Sequence, residues 1–252
     1  MTRAIPGEAV RNPFFNSKMH AIAYYRNDQR AIYSDLLPKF VSHIKKRNQK
    51  HWQNIIVITG KPGSGKSNLM LQIARALYPD IDMEKALIYS NQDFRKRLKA
   101  ILKGEDVGKI NLFDEGSVIL NAMNARRSDD NGIVTLLEIL RSWEMTTIIC
   151  IPAYKRLNKA LRTNLVDYWI QCPRQPLVEG YKSRGFYEIY TPTESEWTDN
   201  TYWNCIGAGV YGPLPPEVDK VYQAIKMQHQ REQVANYLDN FDEEDDEESD
   251  EE

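Results

Sequence analysis

The stretch that decides the fold is NIIVITGKPGSGKSNLMLQIARAL, residues 54–77. It begins with NIIVIT (54–59), a short β-branched apolar run that predicts a buried strand. The next eight residues, GKPGSGKS (60–67), fit the pattern G-x-x-x-x-G-K-S at every required position. The remainder has a helical pattern that stops at Tyr78-Pro79, because the residue before a proline disfavours the helical conformation. The sequence therefore predicts a strand, a phosphate-binding loop and a helix in immediate succession.

The chemistry of this loop follows from its residue types. Glycines let backbone N–H groups wrap around a phosphate, and the helix N-terminus adds partial positive charge. We expect Lys66 to reach the β- and γ-phosphates of a nucleotide and Ser67 to offer its hydroxyl to Mg²⁺. The candidate nucleotide-binding residues are Gly60, Lys61, Pro62, Gly63, Ser64, Gly65, Lys66, Ser67 and Asn68. The alternative is a glycine-rich turn with an incidental lysine, which does not require the flanking strand and helix.

An acidic pair follows a later apolar strand. In KINLFDE (109–115), Asp114 and Glu115 come directly after the predicted strand. We expect Asp114 to hold Mg²⁺ through water and Glu115 to polarise the attacking water. P-loop kinases and GTPases usually lack a glutamate after this aspartate, whereas ATPases that drive mechanical work usually have one, so the pair favours an ATPase over a nucleotide kinase. The alternative is an acidic pair exposed to solvent at the end of a strand.

Strands and helices alternate along the middle of the chain. Apolar runs at ALIYS (86–90), KINLF (109–113), TTIICI (146–151) and VDYWIQC (166–172) predict four further strands. Helical patterns separate them, so the expected fold class is α/β with a mainly parallel sheet covered on both faces. After Pro173 the alternation of strand and helix patterns stops. The runs GFYEIYT and TYWNCIG predict a small β-rich C-terminal addition.

The predicted organisation has five parts that differ in periodicity and composition. They are an N-terminal arm (1–33), a P-loop ATPase core (34–175), the β-rich addition (176–215), a C-terminal helix (216–238) and a disordered acidic tail (239–252). The tail holds 11 acidic residues and no basic one, which leaves residues 1–238 with 33 basic and 24 acidic residues, a formal charge of +9.

This charge asymmetry favours a polyanionic partner. A basic body can bind DNA through its phosphate backbone without sequence preference, and the acidic tail can compete with DNA or bind a basic partner. The candidate phosphate contacts are KKRNQK (45–50), Arg126, Arg127, Arg95, Lys96, Arg97, Lys99 and Lys103. For the basic helix over residues 92–103, the alternative is an ordinary solvated face.

The sequence also bears on the compartment. No apolar stretch reaches 18 residues, so no transmembrane segment is expected, and the N-terminus has no apolar region typical of a signal peptide. The three cysteines, Cys150, Cys172 and Cys205, are odd in number and widely spaced, which gives neither a disulfide framework nor a metal cluster. We therefore expect an intracellular protein, in the host cytoplasm if it is encoded by a virus or plasmid.

Four stretches carry a family resemblance: IVITGKPGSGKSNLMLQIA, INLFDEGS, ARRSDDNGIVTLLEILRSWEMTTIICIP and KRLNKALRTNLVDYWIQC. They resemble the FtsK–HerA superfamily of P-loop ATPases, in particular its small virus- and plasmid-encoded members, including zonular-occludens-toxin-like proteins and viral genome-packaging ATPases. The resemblance implies a RecA-like (ASCE) fold in which the strand after the acidic pair lies between that pair's strand and the P-loop strand. The chain departs from the pattern at Ile151-Pro152-Ala153, where many members carry a glutamine or another polar sensor.

The resemblance also implies a homo-oligomeric ring, most often hexameric. In such rings an arginine of one subunit reaches the γ-phosphate held by the next and stabilises the charge of the transition state. The candidates here are Arg141 and Arg162. The alternative for each is a surface ion-pair partner.

The expected function is an ATP-hydrolysing motor that translocates DNA, as in genome packaging or plasmid transfer, with ATP and Mg²⁺ as its cofactors. One alternative is an AAA+-type replication initiator or loader, although the β-rich stretch 184–207 lies where a helical lid should begin. The other is a nucleotide-switched assembly protein. DNA-stimulated ATPase activity separates the three.

Overall fold

The structure, a computed structural model, describes residues 21–24, 31–33, 36–105, 108–114, 135–138, 143–173, 185–195 and 198–249. The chain divides into two compact units, Met1–Pro213 and Leu214–Glu252. The first unit contains the sheet and the phosphate loop, and the second contains one long helix.

The described strands belong to one nine-stranded sheet. In chain order they are β1 (Ala21–Tyr24), β2 (Ala31–Tyr33), β3 (Asn54–Thr59), β4 (Leu87–Ile88), β5 (Ile110–Phe113), β6 (Thr146–Ile151), β7 (Tyr168–Gln171), β8 (Phe186–Ser195) and β9 (Thr198–Val210). The helices are α1 (Leu36–Gln49), α2 (Lys66–Leu77), α3 (Met83–Ala86), α4 (Asn91–Leu102), α5 (Lys159–Asn164) and α6 (Pro216–Ser249). Residues 135–138 are also helical, and Tyr154–Arg156 form one 3-10 turn.

The centre of the sheet is parallel, in the order β7-β3-β6-β5-β4. This confirms the predicted α/β class with a mainly parallel sheet. The strand β6 pairs with β3 on one side and β5 on the other, so it separates the P-loop strand from the strand that ends before Asp114. The strand order is the one that the resemblance implied.

Helices cover both faces of the central strands, which explains why β3 and β6 are continuous apolar runs rather than alternating ones. All six residues of each strand are buried. On one face, Ile55 and Val57 pack with Phe94 of α4 in one core cluster. On the other face lies α2, whose Met70 Sδ is 3.6 Å from the Cys150 Sγ of β6.

The β-rich addition continues the central sheet instead of forming a separate one. The hairpin β8–β9 joins the edge of β7 in antiparallel orientation. The strand β2 then pairs in parallel with β9, and β1 closes the edge. Both of these edge strands come from the segment 1–33 for which the sequence predicted an arm. Its irregular pattern did not predict strands, because two strands of three and four residues show too little periodicity.

Two element boundaries differ from the sequence prediction. The strand predicted over 86–90 is shorter in the structure, where β4 covers only Leu87–Ile88. Ala86 instead ends α3, which Asp82 caps by accepting hydrogen bonds from the Glu84 and Lys85 N–H groups. The final helix, α6, continues beyond residue 238, where the acidic tail was predicted to begin. No glycine or proline follows Pro216 within it, and glutamate is a good helix former. None of the described helices is long and apolar enough to cross a membrane.

Candidate functional site

The phosphate loop joins the end of β3 to the start of α2, and its backbone conformation requires glycine. At the β3 end, the Cys172 N–H donates to the Thr59 carbonyl at 2.7 Å. Gly60 follows with a φ of 155°, and a Cβ atom there would collide with the Cys172 carbonyl. Gly63 and Gly65 also have positive φ angles, 79° and 93°. The glycines of the motif are therefore explained by conformation and close approach.

The Lys66 side chain folds back over the loop from the first turn of α2. Its ammonium group donates to the Gly60 carbonyl at 2.8 Å and to the Lys61 carbonyl at 3.2 Å. The buried Ser64 hydroxyl has no hydrogen-bond partner among the described residues, which is uncommon for a buried polar group. A phosphate oxygen would attract the ammonium group away from these carbonyls, so the loop fits a nucleotide.

Ser67 and Asp114 come together from two different elements. The Ser67 hydroxyl donates to Asp114 Oδ1 at 2.8 Å. Asp114 is the first residue after β5 and is 1% exposed, although β6 lies between β5 and the P-loop strand. Hydroxyl, carboxylate and water oxygens are the ligands that Mg²⁺ prefers, so this pair fits a magnesium ion bound beside the phosphates.

The structure places the other predicted site residues as follows. Glu115 and Arg141 lie outside the described residues. Arg162 is in the last turn of α5, which leads into the amino end of β7, at the edge of the sheet opposite the phosphate loop. Its Nε atom is buried and has no hydrogen-bond partner in the described part of the chain. Asn68 lies in α2, where its Oδ1 accepts a hydrogen bond from Gln72 at 2.6 Å.

The predicted basic helix divides into exposed and buried residues. Its exposed members are Arg95, Lys96, Lys99 and Lys103. Arg97 is 5% exposed and donates to Asn111 Oδ1 at 2.5 Å and to the Ile110 carbonyl at 2.6 Å. It was wrong to include Arg97 among the surface cations, because it lies three residues after Phe94 on the face of α4 that packs on the sheet. Arg126 and Arg127 lie outside the described residues.

Tyr211 contacts the phosphate loop, although no sequence motif includes it. Tyr211 directly follows β9. Its hydroxyl donates to the Gly65 carbonyl at 3.0 Å and lies 3.3 Å from the Ser64 carbonyl. Beside it, the Gln72 side chain donates to the Gly212 carbonyl at 2.6 Å. These contacts join positions 146 and 140 residues apart, so no local pattern could predict them.

An aromatic group supports the base of the loop from the neighbouring strand. The Trp169 indole N–H of β7 donates to the Thr59 hydroxyl at 2.8 Å. The Tyr190 ring stacks on Trp169 with centroids 4.7 Å apart, and the Tyr154 and Trp203 rings lie within 5.8 Å of it. Packed rings of this kind fix the side chain that ends β3 directly before Gly60.

The cysteine nearest the loop is not a reactive group. Burial raises the pKa of the Cys172 thiol to about 12, so the thiol stays neutral near pH 7 and is a poor nucleophile. Cys150 is also buried, and none of the three cysteines forms a disulfide within the described residues. Cys150 and Cys172 pack as small apolar residues.

Comparisons with known proteins bear on this site. Residues 53–145 match the family model described as Schlafen group 3, DNA/RNA helicase domain. Among solved structures, the N-terminal domain of zonular occludens toxin from Neisseria meningitidis aligns with 67% of this chain and 98% of that chain, at 16% sequence identity and a TM-score of 0.39. No curated protein sequence matches the chain. The segment matched by the family model includes the phosphate loop and Asp114, and with the geometry above it supports a nucleotide-hydrolysing P-loop protein.

Proposed function

We propose that the protein binds ATP together with Mg²⁺ and hydrolyses it. The observation that carries this proposal is the 2.8 Å hydrogen bond between the Ser67 hydroxyl and Asp114 Oδ1, next to the loop that Lys66 closes. Hydrolysis of a nucleoside triphosphate needs a cation at the phosphates and oxygen ligands for a metal in the same place. The match to a DNA/RNA helicase domain over residues 53–145 supports the same chemistry.

Each residue has a separate task in this proposal. The backbone N–H groups of residues 60–67 bind phosphate oxygens, assisted by the positive end of α2. Lys66 exchanges the Gly60 carbonyl for the β- and γ-phosphate oxygens. Ser67 and Asp114 would hold Mg²⁺, Asp114 through a water, and the ion would supply positive charge at the phosphates. Glu115 orients the attacking water and accepts its proton.

The proposed role of hydrolysis is the movement of DNA by a ring of identical subunits with RecA-like cores. The position of β6 between β3 and β5 supports a RecA-like core of the FtsK–HerA kind. The formal charge of +9 on residues 1–238 supports binding to a phosphate backbone. In this ring, Arg141 or Arg162 contacts the γ-phosphate held by the next subunit.

The test of hydrolysis is the rate of phosphate release from ATP with Mg²⁺. Lys66→Ala is expected to lower this rate by about 100-fold or more, because the cation at the transferring phosphate is lost. Lys85→Ala is the matched control, since Lys85 is an exposed lysine of α3, which leads into the amino end of β4 and not into the loop. Equal rates for Lys66→Ala and the native protein would overturn the proposal.

The test of DNA movement compares phosphate release with and without long duplex DNA, alongside the mass in solution with ATP present. Strong stimulation by duplex DNA and a ring-sized mass support a translocating motor. Stimulation by single strands or origin DNA supports the initiator or loader. A rate that no DNA changes supports a nucleotide-switched assembly protein and contradicts the motor.

The role of each arginine is tested by mixing subunits. Arg162→Ala or Arg141→Ala subunits are combined with Glu115→Gln subunits, so that each kind lacks one part of the site. An arginine that acts across the interface gives a mixture whose rate depends on the ratio of the two subunits. If Arg162→Ala alone keeps the native rate, Arg162 has no such role.

A further inference from the structure

A second feature lies at the amino ends of β3 and β7, at the sheet edge opposite the phosphate loop. A cavity of about 670 Å³ opens there, and its wall includes Arg47, Trp52, Asp167 and Tyr168. Trp52 keeps 53% of its surface exposed. Tryptophan is highly buried on average, so an exposed indole in a cavity wall calls for an explanation.

The position of Trp52 follows from how α1 ends. The Trp52 N–H donates to the Arg47 carbonyl at 3.1 Å, and the His51 N–H donates to the Asn48 carbonyl at 3.0 Å, which is the paired pattern of a Schellman motif. His51 takes the left-handed conformation with a φ of 62°, which is unfavourable for a residue with a Cβ atom. Strained backbone of this kind is concentrated at functional sites.

The Schellman turn places the indole ring on a fixed support. The guanidinium carbon of Arg47 is 4.8 Å from the centroid of the Trp52 ring, a cation–π contact. The same guanidinium donates to Asp167 Oδ1 and to Asn54 Oδ1, both at 2.6 Å. A flat, half-exposed aromatic ring is therefore oriented before a ligand arrives, which lowers the ordering cost of binding.

The chain segment that leads to Trp52 is basic. The end of α1 and the residue after it contribute three exposed lysines, Lys45, Lys46 and Lys50. The nearby carboxylates are matched, because Asp167 pairs with Arg47 and Glu144 contacts His51 at 2.5 Å. In the described ranges, no ion pair joins the three lysines to a carboxylate, so their charge is available to an anionic ligand.

We propose that Trp52 and these three lysines form a binding site for single-stranded nucleic acid, with one base stacked on the indole and the flanking phosphates on the lysines. An unpaired base has a free π-face, whereas a duplex keeps its bases stacked on each other. An acidic peptide would match the lysines but would leave the ring unused. The site rests on the nucleic-acid binding of the proposed function but not on hydrolysis or on the movement of a duplex, so its test is separate from the duplex-stimulation test.

The test is fluorescence anisotropy of a labelled oligothymidylate of about 12 nucleotides, a length within the range that single-strand sites span. No nucleotide is added, so a failed ATPase assay and a failed oligonucleotide assay are separate results. Trp52→Ala is expected to weaken binding by about 5- to 100-fold, and Trp52→Phe is expected to restore most of the affinity. An oligouridylate of the same length, run in parallel, distinguishes DNA from RNA.

The contribution of the lysines is measured by the salt dependence of oligonucleotide binding. Replacing Lys45, Lys46 and Lys50 by alanine is expected to reduce the slope of log affinity against log salt by about 2, because each phosphate contact on a single strand contributes about 0.7.

For Trp52→Ala the matched control is Leu102→Ala, since Leu102 is a large apolar side chain that is 75% exposed on α4. This variant is expected to bind as the native protein does.

Several results would overturn the site. One is equal affinity of the Trp52→Ala and Leu102→Ala variants for the oligothymidylate. Another is a hairpin duplex that binds as tightly as the single strand with no dependence on Trp52. A third is Trp52-dependent binding to vesicles of anionic lipid without any binding to the oligonucleotide, which would assign the ring to a membrane surface.

Discussion

At the carboxyl ends of the parallel strands, the Lys66 ammonium group contacts two carbonyls of its own loop, and the Ser64 hydroxyl nearby is buried without a described partner. At the amino ends, the Arg47 and Arg97 guanidinium groups are held by side-chain and backbone oxygens from several elements. One end thus carries polar groups that a ligand can take over. At the other end, the fold itself uses the Arg47 and Arg97 guanidinium groups.

This difference separates activity from stability within one sheet. Groups with weakly competing partners can be replaced at little cost to folding but are essential for binding a phosphate. Buried charges with several acceptors cannot be removed without leaving those acceptors unpaired. We therefore expect substitutions in the phosphate loop and at Asp114 to change hydrolysis, and substitutions of the buried guanidinium groups at the amino end to change the free energy of unfolding.

The largest expected effect is at Asp114. Asp114→Asn keeps an acceptor for the Ser67 hydroxyl but removes the negative charge beside the metal. Phosphate release is expected to fall by about 100- to 1,000-fold, the usual loss for one electrostatic group of an active site, while the unfolding midpoint in urea changes little. Asp80→Asn, at an exposed turn, is the control. A native rate in Asp114→Asn would remove the metal role of this residue.

At Arg97, in contrast, we expect a change in the free energy of unfolding and not in the rate of phosphate release. Burial lowers the pKa of Arg97 to about 10, which leaves it charged near pH 7. Its guanidinium also donates to the Lys85 and Gly108 carbonyls, so Arg97→Met leaves several buried acceptors unpaired. The free energy of unfolding is expected to fall by about 3 kcal/mol.

The control for this substitution is on the same helix. Lys96→Met changes an exposed neighbour of Arg97 and is expected to alter the free energy of unfolding by less than about 0.5 kcal/mol. Urea unfolding followed by circular dichroism measures both variants. If Arg97→Met unfolds at the native midpoint but loses hydrolysis, the division between the two ends of the sheet fails.

The two ends also differ in how well the sequence predicts them. The phosphate loop is built from the backbone of eight consecutive residues, so its pattern is complete in residues 60–67. Asp114 was found because it ends an apolar strand, and the structure brings it to Ser67. The amino end is built from side chains far apart in sequence, such as Arg47 and Asp167, which no local pattern brings together.

The clearest failure of the sequence analysis has a physical cause. Arg97 falls at the helical spacing of the apolar residues Phe94, Leu98 and Ile101, so periodicity alone places it on the inner face. Arg97 was nevertheless grouped with the other basic residues of this helix as a candidate phosphate contact, although a buried charge is tolerated when it is paired. The side chain of Asn111 and the carbonyls around it supply the missing partners, and they become visible only when β5 is placed against α4.

A smaller effect is expected at Tyr211, which reaches the carboxyl end from β9. Tyr211→Phe keeps the ring but removes the hydroxyl that donates to the Gly65 carbonyl and lies beside the Ser64 carbonyl. A single such bond is worth about 1 kcal/mol, so nucleotide affinity is expected to fall about fivefold. Titration with a fluorescent ATP analogue measures it, and Tyr202→Phe, an exposed tyrosine, is the control. Unchanged affinity in Tyr211→Phe would mean that the loop holds its shape without this contact.

The smallest expected effect concerns the pH dependence of stability at the amino end. Burial lowers the pKa of His43 below its usual 6.5, and the charges of Arg47 and Lys46 lower it further. Its Nε2 lies 2.9 Å from the Tyr168 hydroxyl of β7. The unfolded chain therefore binds a proton at His43 more readily than the folded protein does, so this residue stabilises the fold fully above pH 6.5 and progressively less as the pH falls below it. His43→Gln, which cannot titrate, should flatten the decline of the unfolding free energy below pH 6.5, as measured by urea unfolding at a series of pH values. Identical pH profiles for His43→Gln and the native protein would show that His43 does not contribute to the pH dependence of stability, and the contrast between the two ends would then rest on the guanidinium groups of Arg47 and Arg97.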